Sequence, residues 1–336
     1  MAICILVLHY LILFTVKTPL AAEYWLHDYL VAKLGLAKSM NSPKFIFSGG
    51  SATLFGIDAA EVQKKLGRPA VNLGLHAGLR LEDHLAYARE AARPGDILVL
   101  SLEPAYYETY STAWTTWQFR NALAWNRPSL ARLPLGQRLI VYFTASDPTI
   151  SYDLVAAAYD EKFSPDTVGW RLKALQPEPQ VFARYLTDRG TSHEFVYWLS
   201  NLDSNGDVLN TKSGEALFNG DAYPVSPPAH ISAYARSQLV PFLAEMKKEG
   251  VRVYFDYTPY LIYPSSTPGN WQAADRSFRD ELGDIGGTLL ENRDALFFPV
   301  EDFYHSDLHL NEVGRRLRTA NLIEALRPLL SPAPSK

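Results

Sequence analysis

Apolar and polar positions follow two regimes along the chain. Short continuous apolar runs, "PKFIFSG" at 43–49, "PAVNLG" at 69–74 and "DILVLSL" at 96–102, have the character of strands covered on both faces. Between them the spacing changes to a helical period. "IDAAEVQKKLG" has Asp58 placed to cap its start and Gly67 to end it. "RLEDHLAYAREAARPGD" sets Leu81, Leu85, Ala88 and Ala92 on one face before Pro94-Gly95 stops it. Three strands separated by two helices predict a parallel sheet with crossover helices, an α/β fold.

The alternation breaks from 105 to 235, where tyrosine and tryptophan crowd the stretch 106–125 and no clear period follows. This part reads as a long aromatic-rich insertion on the α/β core. Within it Asp203, Asn205 and Asp207 alternate around Asn205-Gly206; the glycine is misplaced for a calcium loop, which favours a hairpin turn. The pattern returns near 236 with a helix ending at Gly250, a strand in "VRVYFDYTP", a helix in "AADRSFRDELG" and a strand in "ALFFPV". A last helix begins near Asn311 with Val313, Leu317 and Ala320 along one face and Ile323 at its edge. Residues 331–336, "SPAPSK", read as a disordered tail.

The N-terminus changes the picture. Residues 2–16, "AICILVLHYLILFTV", are apolar apart from His9 and Tyr10. Their length suits the apolar core of a signal peptide, and extension to Ala22 gives a marginal span against the ~20 residues a crossing needs. Residues 1–22 are therefore expected to be a signal peptide or N-terminal membrane anchor, with a buried helix as the other reading. Export to the periplasm or another extracytoplasmic space follows, with inner-membrane attachment if the segment is retained. Tyr24 and Trp25 beyond it suit an interfacial belt. The chain of 336 residues with net charge -4 has no basic arm, which argues against nucleic acid as a partner. Its single cysteine, Cys4, excludes an internal disulfide and a cysteine-rich zinc site. No metal or organic cofactor is implied, and no strand is followed by the G-x-G-x-x-G of a dinucleotide fold.

Candidate chemistry lies at "FIFSGGSATLFGID", where Ser51 sits on glycines as a strand gives way to a helix. A serine hydroxyl needs a base, and the base needs a group to hold its ring. In a parallel sheet such partners meet outside the carboxyl ends of the strands. "YHSDLHLNEVG" offers Asp307 and His309 just before the last helix. His305 reads as a loop-surface residue, and His76 and His84 carry no separate signal. Each piece also has a plain reading: Gly-Gly-Ser fits a strand-to-helix turn, and "HLNEVG" fits a helix start capped by Asn311.

"SGGSAT" after a first strand, "VNLGLHAG" after a second and "SDLHLNEVG" before the last helix resemble three sequence blocks of the SGNH, or GDSL-like, hydrolases. The resemblance covers 43–103 and 236–328. It implies a three-layer α/β/α sandwich with a mostly parallel flavodoxin-like sheet, a domain over 43–330 carrying the 105–235 insertion. It assigns Ser51 as nucleophile, His309 as general base and Asp307 as the acid that orients it. The oxyanion donors would be the N–H of Ser51 and that of Gly78, or of Gly74 under the other alignment of this loop. Two features depart from most of the family. "LSLEPAYY" puts Glu103 where an oxyanion asparagine is usual, and Asp307 precedes His309 by two residues, not three. Both, with the apolar N-terminus, look more like the exopolysaccharide O-acetyltransferases, such as those of alginate, and the SGNH protein of teichoic-acid D-alanylation.

The expected function is then a serine esterase or O-acyltransferase, O-acetyl by this likeness, acting on an exported or cell-surface polysaccharide within a polymer-export or acetylation assembly. Glu103 would bind the final loop or a substrate hydroxyl. Trp114 and Trp117 would stack on sugar rings or else fill the core of the insertion. The alternative is a non-catalytic carbohydrate-binding or scaffold member of such an assembly.

Overall fold

The computed structural model describes residues 2–15, 20, 22–108, 112–163, 176–212, 227–262, 269–290 and 296–330. The tail at 331–336 lies outside them. In chain order the helices and strands are α1 (Ala2–Thr15), α2 (Tyr24–Ser39), β1 (Phe45–Gly49), α3 (Ser51–Gly56), α4 (Ala59–Leu66), β2 (Ala70–Asn72), α5 (Leu81–Ala91), β3 (Ile97–Ser101) and α6 (Ala105–Glu108). Then come α7 (Thr116–Ala124), α8 (Arg127–Ala131), α9 (Leu135–Thr144), α10 (Pro148–Phe163), α11 (Glu178–Asp188), α12 (Ala233–Lys248) and β4 (Arg252–Phe255). Last are β5 (Tyr260–Leu261), α13 (Gly269–Asp284), β6 (Phe297–Phe298), β7 (Phe303–Ser306), β8 (His309–Leu310) and α14 (Glu312–Leu326).

Two compact units result: Met1–Asp28 with Ser111–Ala183, and Tyr29–Tyr110 with Arg184–Lys336. The second is mixed α/β around a parallel sheet in the order β2-β1-β3-β4. On one sheet face Phe45, Phe47, Ile97 and Val99 pack with Val62 of α4 and with Leu322 and Leu326 of α14. Ile46, Leu98 and Leu100 alternate onto the other face and are also buried, which explains the unbroken apolar runs. Asp58 caps α4 by accepting the Glu61 N–H, and Gly67 ends it at φ 66.

The stretch 105–235, where the sequence shows no clear period, contains α6 to α11; within it 111–183 groups with 1–28 in a helical unit, and 105–110 and 184–235 group with the sheet. The last helix turns the other way from its expected stripe: Val313, Leu317 and Ala320 face solvent while Arg315, Arg318 and Thr319 are buried. The 203–207 segment is a hairpin, with Leu202 bridging Val208, Gly206 at φ 81, and Asp203 accepting the N–H groups of Asn205 and Asp207. α1 packs on α10. Among the described residues no helix is long and apolar enough to cross a membrane.

Candidate active site

Ser51 is the first residue of α3, two residues beyond the end of β1, at the carboxyl edge of the sheet. Close approach of the end of β3 dictates the two glycines before it. A Cβ on Gly49 would lie 2.1 Å from the Ser101 carbonyl oxygen, and one on Gly50 would lie 2.3 Å from Glu103 Oε1. Gly50 has no side chain with which to cap α3, and Glu103 supplies the cap: its Oε1 accepts the Ala52 N–H at 3.0 Å. Burial pushes the Glu103 pKa up, while the backbone N–H groups of Ala52, Glu103 and Gly50, and Arg318 beyond them, oppose this. Glu103 is thus packed beneath the serine turn and does not face a substrate hydroxyl. Neither the hydroxyl nor the N–H of Ser51 hydrogen-bonds another described residue.

β7 and β8 form an antiparallel hairpin in which Ser306 pairs with His309, so Asp307 and Leu308 are its two-residue turn. α3 packs against β8. The His309 ring lies flat on Phe55, with centroids 4.3 Å apart and planes inclined by 16°. Ser51 precedes Phe55 by four residues, one helical turn, so both share the face of α3 turned to this imidazole, about 6 Å apart along the axis. The group beside His309 Nδ1 is His305, whose Nε2 is 3.0 Å away.

Among the described residues it is His305, and not Asp307, that hydrogen-bonds the ring, and His305 is half-buried on β7 where a loop-surface position was expected. The turn explains this, because it carries residue 307 to the hairpin tip and folds the preceding strand back alongside residue 309. Burial, then the neighbouring His305 and His76, holds the His309 pKa well below the ordinary histidine value. Burial alone lowers that of His305, whose Nδ1 is buried without a hydrogen-bond partner. Asp307 is pushed up by burial. Phe195, Tyr197 and Tyr304 close around the pair, with Phe195 5.4 Å from Tyr304 and 5.5 Å from Phe55 between centroids.

The two glycine donors are already engaged: the Gly78 N–H donates to His76 Nδ1 at 2.9 Å and the Gly74 N–H to Asn72 Oδ1 at 2.8 Å. Trp114 is buried in the core of the helical unit with Phe119 and Leu130, and Trp117 lies on α7 of the same unit. Neither belongs to the unit that holds Ser51. Among the described residues no group of His, Cys, Asp or Glu side chains is arranged to hold a metal ion.

Two supporting residues escape the sequence reading. Fully buried Arg318 donates to the Ala52 carbonyl at 3.1 Å, Ser101 Oγ at 2.6 Å, Asp256 Oδ2 at 3.1 Å and the Tyr257 carbonyl at 2.8 Å, tying α14 to α3, β3 and the end of β4. Asn72 donates Nδ2 to the carbonyls of Thr53 and Ile57, each at 3.2 Å, and so fixes the last turn of α3. Its one signal in the sequence is an amide inside an apolar strand, a group that needs partners wherever it is buried. Compared with known proteins, the chain matches no family model, no curated protein and no solved structure.

Proposed function

We propose that the α/β unit is an SGNH-like serine acyl-ester enzyme whose reacting groups are Ser51 and His309, with His305 holding the base. One observation carries this: a half-buried imidazole stacks on Phe55, one turn along α3 from Ser51, with Nδ1 beside a second ring nitrogen. The strand order β2-β1-β3-β4 supports a flavodoxin-like three-layer sandwich as the wider frame. With the His309 Nδ1–H donated to His305, Nε2 carries a lone pair for the serine proton. Ser51 Oγ then bonds to the acyl carbon, the carbonyl electrons move to oxygen, and the Ser51 N–H is available to that oxyanion. Collapse breaks the bond to the leaving alkoxide, which takes the proton from His309. Water or an acceptor hydroxyl, deprotonated in turn by His309, removes the acyl group. Serine and histidine close to hydrogen-bonding distance when substrate enters, as is common for apo sites.

The substrate class that fits the resemblance is an O-acylated carbohydrate of an exported polymer, with Phe195, Tyr197 and Tyr304 as ring-stacking surfaces beside the base. Engagement of the Gly74 and Gly78 N–H groups favours the second reading, a non-catalytic carbohydrate-binding scaffold. A fluorophosphonate probe separates the two without a known substrate. The enzyme labels, Ser51→Ala abolishes labelling, and His309→Ala slows it by about 100-fold or more. A wild-type protein that stays unlabelled while folded leaves the scaffold. Paired assays of acetate release and acetyl transfer to a polysaccharide then distinguish esterase from transferase.

A further inference from the structure

Helices in water bury apolar side chains and turn polar ones out. In the helical unit, α1 and α9 bury Leu13 and Val141 in the core but also turn a second set of apolar side chains outward. On α1, His9 is buried, with Nδ1 2.5 Å from Ser151 Oγ and Nε2 3.1 Å from Ser146 Oγ, while Val7, Leu8 and Leu11 are exposed. On α9, Leu139 is exposed, and Ile140 and Phe143 are 60% and 58% exposed. The Tyr10 ring meets Phe143 edge-on at 4.6 Å and joins the two helices into one surface. Arg138 is the only charged residue in either helix, and its guanidinium turns back onto the carbonyls of Ala131 and Leu133. A contiguous exposed apolar face over an already filled apolar core is what an apolar surrounding phase would cover.

Charge defines that phase further. Between Glu108 and Asp147 the chain has no acidic residue and four arginines, Arg120, Arg127, Arg132 and Arg138. Arg120 is paired with Asp153; Arg127, whose Nε donates to the Leu123 carbonyl, and Arg132 lie in and after α8 with exposed side chains. The 14 residues of α1 rise ~21 Å and the 10 of α9 ~15 Å, short of the ~30 Å hydrocarbon core, so the pair suits one leaflet.

We infer that the α1–α9 face of the helical unit embeds in the surface of a bilayer containing anionic lipid, with Arg127 and Arg132 at the headgroups. This goes beyond the serine chemistry and does not depend on it.

The test is flotation of the full chain with phosphatidylcholine vesicles, alone or with roughly a third phosphatidylglycerol. The protein should float with the anionic vesicles, and the bound fraction should fall several-fold between ~0.1 M and ~1 M salt. The double variant Leu139→Glu/Ile140→Glu alters exposed positions and should keep the wild-type circular-dichroism melt while losing at least tenfold in bound fraction. Arg127→Gln/Arg132→Gln, which leaves the apolar face intact, should lose only the preference for anionic vesicles. Wild-type protein that floats with neither vesicle overturns the inference. So does an α9 double variant that floats as well as wild type, or a dimer that this variant dissociates with no vesicle binding in either form.

Discussion

A glutamate ends the loop after β3, and its carboxyl does what the residue before α3 cannot. Gly50 lacks a capping side chain, and the Ala52 N–H would be buried without Glu103 Oε1. Glu103→Ala should therefore cost about 1–3 kcal/mol of stability, the usual penalty for a buried unsatisfied donor. Glu103→Gln, which keeps the acceptor, should recover most of it. Urea melts of both variants decide this, and equal losses would reject the capping role. His84 gives a pH signature at the same scale. Burial, then His76, lowers its pKa to about 3, and its Nε2 faces the Tyr106 hydroxyl at 3.0 Å. The unfolded chain protonates His84 near 6.5 while the folded chain does not, so this residue's contribution is lost as pH falls from about 6.5 toward about 3. The His84→Gln variant should show a slope of stability against pH shallower than wild type by roughly 1.4 kcal/mol per unit in that window. Parallel slopes in denaturation at pH 6 and 5 would remove His84 from the account.

At the scale of elements, hydrophobic periodicity located β1, β3 and α5 because both signals were strong: continuous apolar runs for strands covered on both faces, and turn residues at their ends. Asp58, Gly67 and Asn311 also terminate helices as their chemistry indicates. Periodicity failed on α14 because the buried face of that helix carries arginines. Arg318 fills the position a leucine usually takes, its two terminal nitrogens donating to carbonyls, a serine and Asp256. Leu317→Lys should then shift stability by no more than about 0.5 kcal/mol. Arg318→Met should cost about 3–5 kcal/mol, because it removes the guanidinium that faces the buried Asp256 carboxylate and the donor to two buried carbonyls. Reversed magnitudes in thermal melts would restore the apolar stripe as the packed face. The hairpin of β7 and β8 shows a second limit. Which side chain reaches His309 depends on a two-residue turn and its register, and the sequence "YHSDLHL" offers His305 and Asp307 on equal terms.

At the scale of the whole chain, the least legible feature is a buried polar network joining segments far apart in sequence. Lys33 of α2 donates Nζ to the carbonyls of Asn72 at 2.9 Å and Gly206 at 2.7 Å. Asn72 donates to Asp207 Oδ1 at 3.0 Å, and Asp207 Oδ2 accepts the Ala60 N–H at the start of α4 at 3.0 Å. No local pattern marks residues 33, 72 and 207 as partners, since each is an isolated polar group whose meaning arises only when the chain closes. Burial lowers the Lys33 pKa, and the carboxylates of Asp207 and Asp203 resist this. Burial raises that of Asp207, with Asp203 adding to the rise. Lys33→Met should cost about 3–5 kcal/mol at pH 8, because two buried carbonyls lose their donor and Asp207 and Asp203 lose one of the cations near them, Arg315 remaining beside Asp207. The loss should shrink toward pH 5. Folded Asp207 already binds a proton more readily than the unfolded chain does, and loss of Lys33 increases the difference, so falling pH returns more stability to the variant than to wild type. Urea melts of wild type and variant at both pH values measure the difference, and a loss that is the same at pH 8 and pH 5 would mean that Lys33 acts through packing and its two carbonyl bonds, not through charge.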